Sequence, residues 1–172
     1  TGASVNVDLS APPSTGQVLV ATSATTSTWQ TLPASSYASY YNTSTPTTFS
    51  KVLNGTPSIV VTPMTTEVKS SEWSDMVAGE STYTGVDRVF NVEGLISGEA
   101  TGPTNIFLYI AKNGAIIIGS SSYQRFDTSG GQNGTPSILV SLTSGDKLSL
   151  MVKDNNNQTL NSVIYRLMIL SV

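Results

Sequence analysis

The chain has 172 residues, no cysteine, no histidine, 11% charged residues and a formal net charge of −3. That length fits one domain with an appendage and needs no disulfide or metal staple, while the missing thiols and imidazoles exclude cysteine chemistry, thiolate zinc sites and the usual general base. The acidic balance argues against nucleic acid, and with no apolar run near 18 residues no membrane insertion is expected.

Ser and Thr together number 49, against 38% hydrophobic residues. Enough apolar surface is present for a packed core, with Ser and Thr as the polar half of the alternation. Thr favours a pleated, half-buried surface, and such a composition is common in extracellular and virion β proteins. The first residue is not Met and no basic-then-apolar leader follows, so the chain is expected to be a fragment or a processed product.

In chain order, residues 1–48 come first. They carry one charge, Asp8, and are punctuated by Pro12, Pro13, Pro33 and Pro46. Two apolar patches occur, at 17–20 and 28–32, without a heptad. The segment is expected to be a linker or an extended neck that gains order only by winding with copies of itself. Trp29 is read as a packing residue of that neck.

From Phe49 the pattern becomes β, giving a head domain over 49–172. Strands are predicted near 49–53, 57–62, 64–69, 86–97, 104–111, 115–121, 136–142, 146–153 and 162–171. Ser71–Val77 holds one helical turn at most. Asn113-Gly114 signals a type I′ hairpin, and Ser144-Gly145-Asp146 a turn between 136–142 and 146–153. Residues 54–61 and 133–140 agree at all but one position. Each is read as an Asn-Gly turn, an extended Thr-Pro step and a buried strand.

Two strands are apolar on both faces. In 162–171 one face reads Val163, Tyr165, Leu167, Ile169 and the other Ile164, Arg166, Met168, Leu170; in 104–111, Phe107 and Tyr109 back Ile106, Leu108 and Ile110. The core covers one face only, so either a symmetric neighbour or a loop of the same chain is expected on the second, the neighbour being the more economical cover.

The acids Glu67, Glu72, Asp75 and Glu80 lie beside Lys69 and read as a solvated loop rather than a glycosidase pair. Ser144 and Lys147 have nucleophile spacing but fall in a turn. Gly130-Gly131 reads as a loop tip. Asp127, or Asp154 with Asn155, Asn156 and Asn157, offers calcium-type oxygens without an EF-hand spacing. No catalysis, metal or cofactor is expected. Asn-x-Ser/Thr triplets begin at Asn42, Asn54, Asn133 and Asn157.

Strand alternation sorts the connections. Those at 98–103, 122–135 and 154–161 fall at one end, and the tight turns at 112–114 and 143–145 at the other. The long set carries Tyr123, Gln124, Arg125, Asp127, Asn155, Asn156 and Asn157. An aromatic ring with amides and an Arg suits a sugar or polar epitope, and loops on a rigid sandwich are where recognition lives.

The order Tyr83-Thr-Gly-Val-Asp-Arg-Val-Phe-Asn-Val-Glu-Gly94, Phe107-Leu-Tyr-Ile-Ala-Lys-Asn-Gly114, Leu142-Thr-Ser-Gly-Asp-Lys-Leu148 and Ile164 to Leu170 resembles the trimeric jelly roll of the complement globular head and tumour necrosis factor superfamily. Residues 15–30, with Gly16-Gln-Val-Leu19 and Thr28-Trp29, look like a stretch that recurs in viral tail and capsid fibres. The resemblance implies an antiparallel jelly-roll β-sandwich, homotrimeric, on an extended N-terminal neck. The expected interface residues are Phe107, Tyr109, Tyr165, Leu167 and Ile169. The implied function is a non-enzymatic virion fibre or spike head, on the virion surface. Its partners would be two further copies of itself, a host surface glycan or protein receptor, and a virion shaft or capsid protein through residues 1–48. The alternatives are a structural capsid or filament decoration, a bacterial surface filament head and a carbohydrate-binding module.

Overall fold

From Phe90 to Glu93 apolar and polar side chains alternate, and the backbone takes the extended form that sends alternate residues to opposite faces. The computed structural model describes residues 6–7, 14, 17–21, 26–31, 35–42, 47–49, 57–59, 65–156 and 158–172, and none of these is helical. The chain forms two compact units, Thr1–Ala34 and Ser35–Val172.

The first unit holds β1 (Asn6–Val7), β2 (Gln17–Ala21) and β3 (Thr26–Thr31). β2 and β3 pair antiparallel with Leu19 opposite Trp29, and β1 joins β3 in parallel. The two apolar patches are thus a cross-strand pair, and Trp29 is half-buried beside its partner.

The second unit holds β4 (Tyr37–Tyr41), β5 (Thr47–Phe49), β6 (Ser58–Ile59), β7 (Thr65–Lys69), β8 (Glu80–Thr82), β9 (Arg88–Ala100), β10 (Thr104–Lys112), β11 (Ala115–Ile116), β12 (Ser122–Phe126), β13 (Gly131–Gly134), β14 (Ile138–Leu142), β15 (Lys147–Asp154) and β16 (Leu160–Ser171). One sheet is built on β10 and β15, with β11 and β12 on one edge and β6 and β8 on the other. The second is built on β9 and β16, with β13 and β14 on one side and β4, β5 and β7 on the other. Every described pairing in this unit is antiparallel.

The head boundary expected near residue 48 falls instead between Ala34 and Ser35. β4 runs beside β16 with Tyr40 opposite Leu167, and both side chains are buried. The Ser-rich sequence around Tyr37–Tyr41 hides a strand because only Ala38 and Tyr40 face inward.

The core lies between the sheets. Ile106, Leu108, Ile110, Leu148, Leu150 and Val152 meet Phe90, Val92, Ile96, Val163, Tyr165, Leu167 and Ile169. Gly94 sits in the buried row of β9, where a Cβ would run into Leu150. Ser71–Val77 forms no helical turn. Trp73 bridges to Tyr83, its ring 5.1 Å from Tyr83 and 5.4 Å from Phe90, and its Nε1 donates to Ser36 at 3.1 Å.

Asn113 and Gly114 take φ of 52° and 78° between paired Lys112 and Ala115, the two positive angles of a type I′ turn. The strand predicted at 115–121 stops at Ile116. Gly119 has a positive φ, and the buried Ser120 hydroxyl donates to the Ile117 carbonyl and accepts from the Ile110 amide. Residues 122–135, read as one long loop, contain β12 and β13. The second echo copy is a break between β13 and β14 along one edge of β9, where Thr135 N donates to Gly94 O and Thr135 Oγ1 accepts from Gly94 N. The turn expected at Asn133-Gly134 is strand, and Asn133 donates across to Ile106 O on the opposite sheet. In the first copy only Pro57–Ile59 is described, and Ser58–Ile59 pairs with β15. The strands predicted at 49–53 and 57–62 otherwise lie largely outside the described residues.

Candidate functional site

The two ends of the head differ in chemistry. At the tight-turn end Asp146 lies buried. Its carboxylate accepts from Lys112 Nζ at 2.8 Å, Asn113 Nδ2 at 2.7 Å and Thr143 N at 2.7 Å. Burial pushes its carboxyl up, but the Lys112 ammonium and these donors outweigh that and hold it well below the usual range. Lys147, the partner in the nucleophile spacing with Ser144, lies 3.5 Å from Glu80. The head's first and last residues also meet here: Ser171 N donates to Ser36 O at 2.8 Å.

At the other end three connections are tied together. Ala100 N donates to Asp127 O, Thr101 N to Thr159 O, and Asn156 Nδ2 to Pro103 O at 3.1 Å. The connections after β9, β12 and β15 meet here as strand alternation expects, but the middle one is the short turn at Asp127 between β12 and β13 rather than the whole of 122–135. Arg125 and Asn156 line one cleft of about 170 Å³ with Pro103, Thr104 and Asn105. Asp127 lies in the turn after β12, where its Oδ1 accepts from Ser129 N at 2.8 Å. Asn155 is exposed in the connection after β15. Asn157 lies outside the described residues.

Tyr123, Gln124 and Arg125 are strand residues, not loop residues. Register puts Tyr123 opposite Phe107 and Arg125 opposite Asn105, so Tyr123 and Arg125 share the outer face of the β10–β15 sheet, while Gln124 alternates to the other side. Phe107 and Tyr123 rings lie 5.5 Å apart, and Lys153 Nζ stands 5.5 Å above the Phe107 ring. Tyr109, next along this face, is half-buried, and its hydroxyl is raised by burial. Lys153 and Asn105 carry no site signal of their own in the sequence, although the 104–111 alternation places Asn105 beside Phe107.

The interface residues expected on the last strand are corrected. Tyr165, Leu167 and Ile169 are at most 3% exposed within this single chain and belong to its own core. The outward row is Ile164, Arg166, Met168 and Leu170, with Ile164 51% and Leu170 56% exposed. Tyr37, Leu170, Asn91 and Leu139 stand side by side across four strands. Below that row a groove of about 280 Å³ carries Glu93, Arg166 and Met168.

The acids weighed for catalysis take other roles. Glu72 lies 3.6 Å from Arg88 and Asp75 3.7 Å from Lys69. Asp154 is buried and accepts from Thr104 Oγ1 and Gln158 N. Among the described residues no three acidic groups converge as a metal site. Asn42 and Asn133, two of the glycosylation triplets, are buried: Asn42 donates to Val163 O and accepts from Tyr165 N.

No protein-family model and no curated protein matches the sequence. Solved structures match in fold. The PRD1 vertex protein P5 aligns with a TM-score of 0.51 at 12% identity, over 80% of this chain and 96% of that one. The globular domain of zebrafish complement 1qA gives 0.50 at 14%, over 78% and 95%, and murine APRIL at pH 8.0 gives 0.50 at 7%, over 78% and 98%. Identities this low speak to architecture alone. The all-β head, with its two antiparallel sheets, has the jelly-roll fold of the tumour necrosis factor and complement globular-head type.

Proposed function

We propose that the chain is the homotrimeric head of a virion fibre or spike that attaches to a host surface and performs no catalysis, with its N-terminal segment joined to the shaft or capsid. The carrying observation is the outer face of the β9–β16 sheet, where Leu139, Leu170, Val89 and Val172 are 65%, 56%, 39% and 80% exposed. Such a patch on a rigid sheet favours burial against further copies of the chain over exposure to water. The likeness to a protein named for a virion vertex supports the setting. The three joined connections lie at the end opposite the head's first and last residues, so an assembly held at that end presents them outward. Three copies of a weak site then gain avidity.

Light scattering on the intact chain tests the assembly. Three times the 18.1 kDa chain mass is expected, and a monomer overturns the reading. Fluorescently labelled protein on a panel of cell types tests attachment; a trimer that binds none of them is a structural decoration.

A further inference from the structure

Six of the seven described cations fall into two groups, Arg166 lying apart on the other sheet. Lys69, Arg88, Lys112 and Lys147 each lie against a carboxylate. Arg125 and Lys153 have no carboxylate within ion-pair distance among the described residues, and both stand on the outer face of the β10–β15 sheet, on the two strands flanking β10. Between and beside them lie Phe107 and Tyr123, the latter 67% exposed. The cleft beside Arg125 adds Asn105 and Asn156, the latter held by its bond to Pro103 O.

We propose that this face binds an acidic oligosaccharide, with its sugar-borne anions on Arg125 and Lys153 and a pyranose ring laid on Tyr123. The assignment rests on the attachment reading and names the receptor class for it. Each part follows from chemistry. A guanidinium fork receives a carboxylate or sulfate through paired N–H donors. An exposed phenol offers an apolar face to the C–H side of a sugar and a hydroxyl to its rim. Side-chain amides donate and accept toward sugar hydroxyls. Strand spacing and rise place the Arg125 and Lys153 backbones roughly 12 Å apart, a span for a chain of sugars rather than one small ion. Phe107 flanks the platform: the Tyr123 ring stands beside it and Lys153 stands over it. The net charge of −3 does not oppose this, because interactions beyond about 8 Å are screened at physiological salt.

Calorimetric titration of the intact chain with 3′-sialyllactose, a heparin tetrasaccharide and lactose tests the proposal. Sialyllactose carries the anion as carboxylate and heparin chiefly as sulfate, so the two arms separate the sources. At least one acidic saccharide should bind about tenfold tighter than lactose, a difference worth about 1.4 kcal/mol. Arg125→Ala, Lys153→Ala and Tyr123→Ala should each weaken it about tenfold, and Arg125→Ala should leave the melting temperature unchanged because Arg125 is exposed. Arg125→Glu should abolish binding. Equal binding of lactose, no binding of either acidic saccharide, or full binding by Arg125→Ala and Tyr123→Ala overturns the site. The cell panel separates the two proposals. Attachment that is indifferent to Arg125→Glu overturns this inference and leaves the attachment reading standing. Saccharide binding without attachment to any cell upholds the site and overturns that reading.

Discussion

Asp146 shows what one residue contributes to the turn end. It joins the type I′ hairpin at Asn113-Gly114 to the 143–146 turn through Asn113 Nδ2 and Thr143 N, and it neutralises Lys112. The Gly-Asp pair that carries the sequence resemblance is therefore a structural knot. Its folded-state carboxyl lies below the unfolded value of about 3.9, so the stabilisation is present above about pH 4 and is lost as pH falls through the lowered folded value. Asp146→Asn should cost about 1–3 kcal/mol at neutral pH, since it leaves charged and polar partners unmatched. Melting temperature against pH checks this: the wild type should lose stability below about pH 4, and the variant should lose less of it.

Among elements, β9 and β16 form the long central pair; period-two alternation makes β9 legible as a strand, and β16 reads as a short, nearly continuous apolar run. Two features resist such a reading. β12 and β13 carry Ser, Gln, Arg, Gly and Asn, because an edge strand half open to water needs few apolar residues; the sequence there looks like a loop. Which face of β16 turns inward is the second. Both of its faces are apolar, and only packing against β10 and β15 chooses Tyr165, Leu167 and Ile169 for the inside. Gly94 marks the constraint between sheets. Gly94→Ala pushes a methyl against Leu150, and a destabilisation of about 1–3 kcal/mol is expected in urea unfolding. A neutral result would mean that the Leu150 rotamer yields freely.

At the scale of the whole molecule, the Ser35–Val172 unit contains its own two-sheet core. Residues 35–172 expressed alone should keep the near-ultraviolet dichroism of the head and a cooperative melt; loss of the melt would make residues 1–34 part of the fold. Assembly is a property of the outer face. The double variant Leu139→Glu, Leu170→Glu puts two charges on it, on the strands to either side of β9. Light scattering should then report a folded monomer, with dichroism unchanged, because both side chains are more than half exposed.

The sequence by itself determined the all-β class, the Asn113-Gly114 hairpin, the long central strands and the sorting of connections to two ends. These follow from local rules: period-two alternation, the φ values that Asn and Gly accept, and the reversal of direction at each turn. Tertiary structure decided which face of β16 is buried, where the head begins, and that Tyr123 and Arg125 stand on a strand beside Phe107 and Lys153. Those outcomes depend on register between segments distant in the chain, and register is set by how two sheets fill the space between them, which no local pattern encodes.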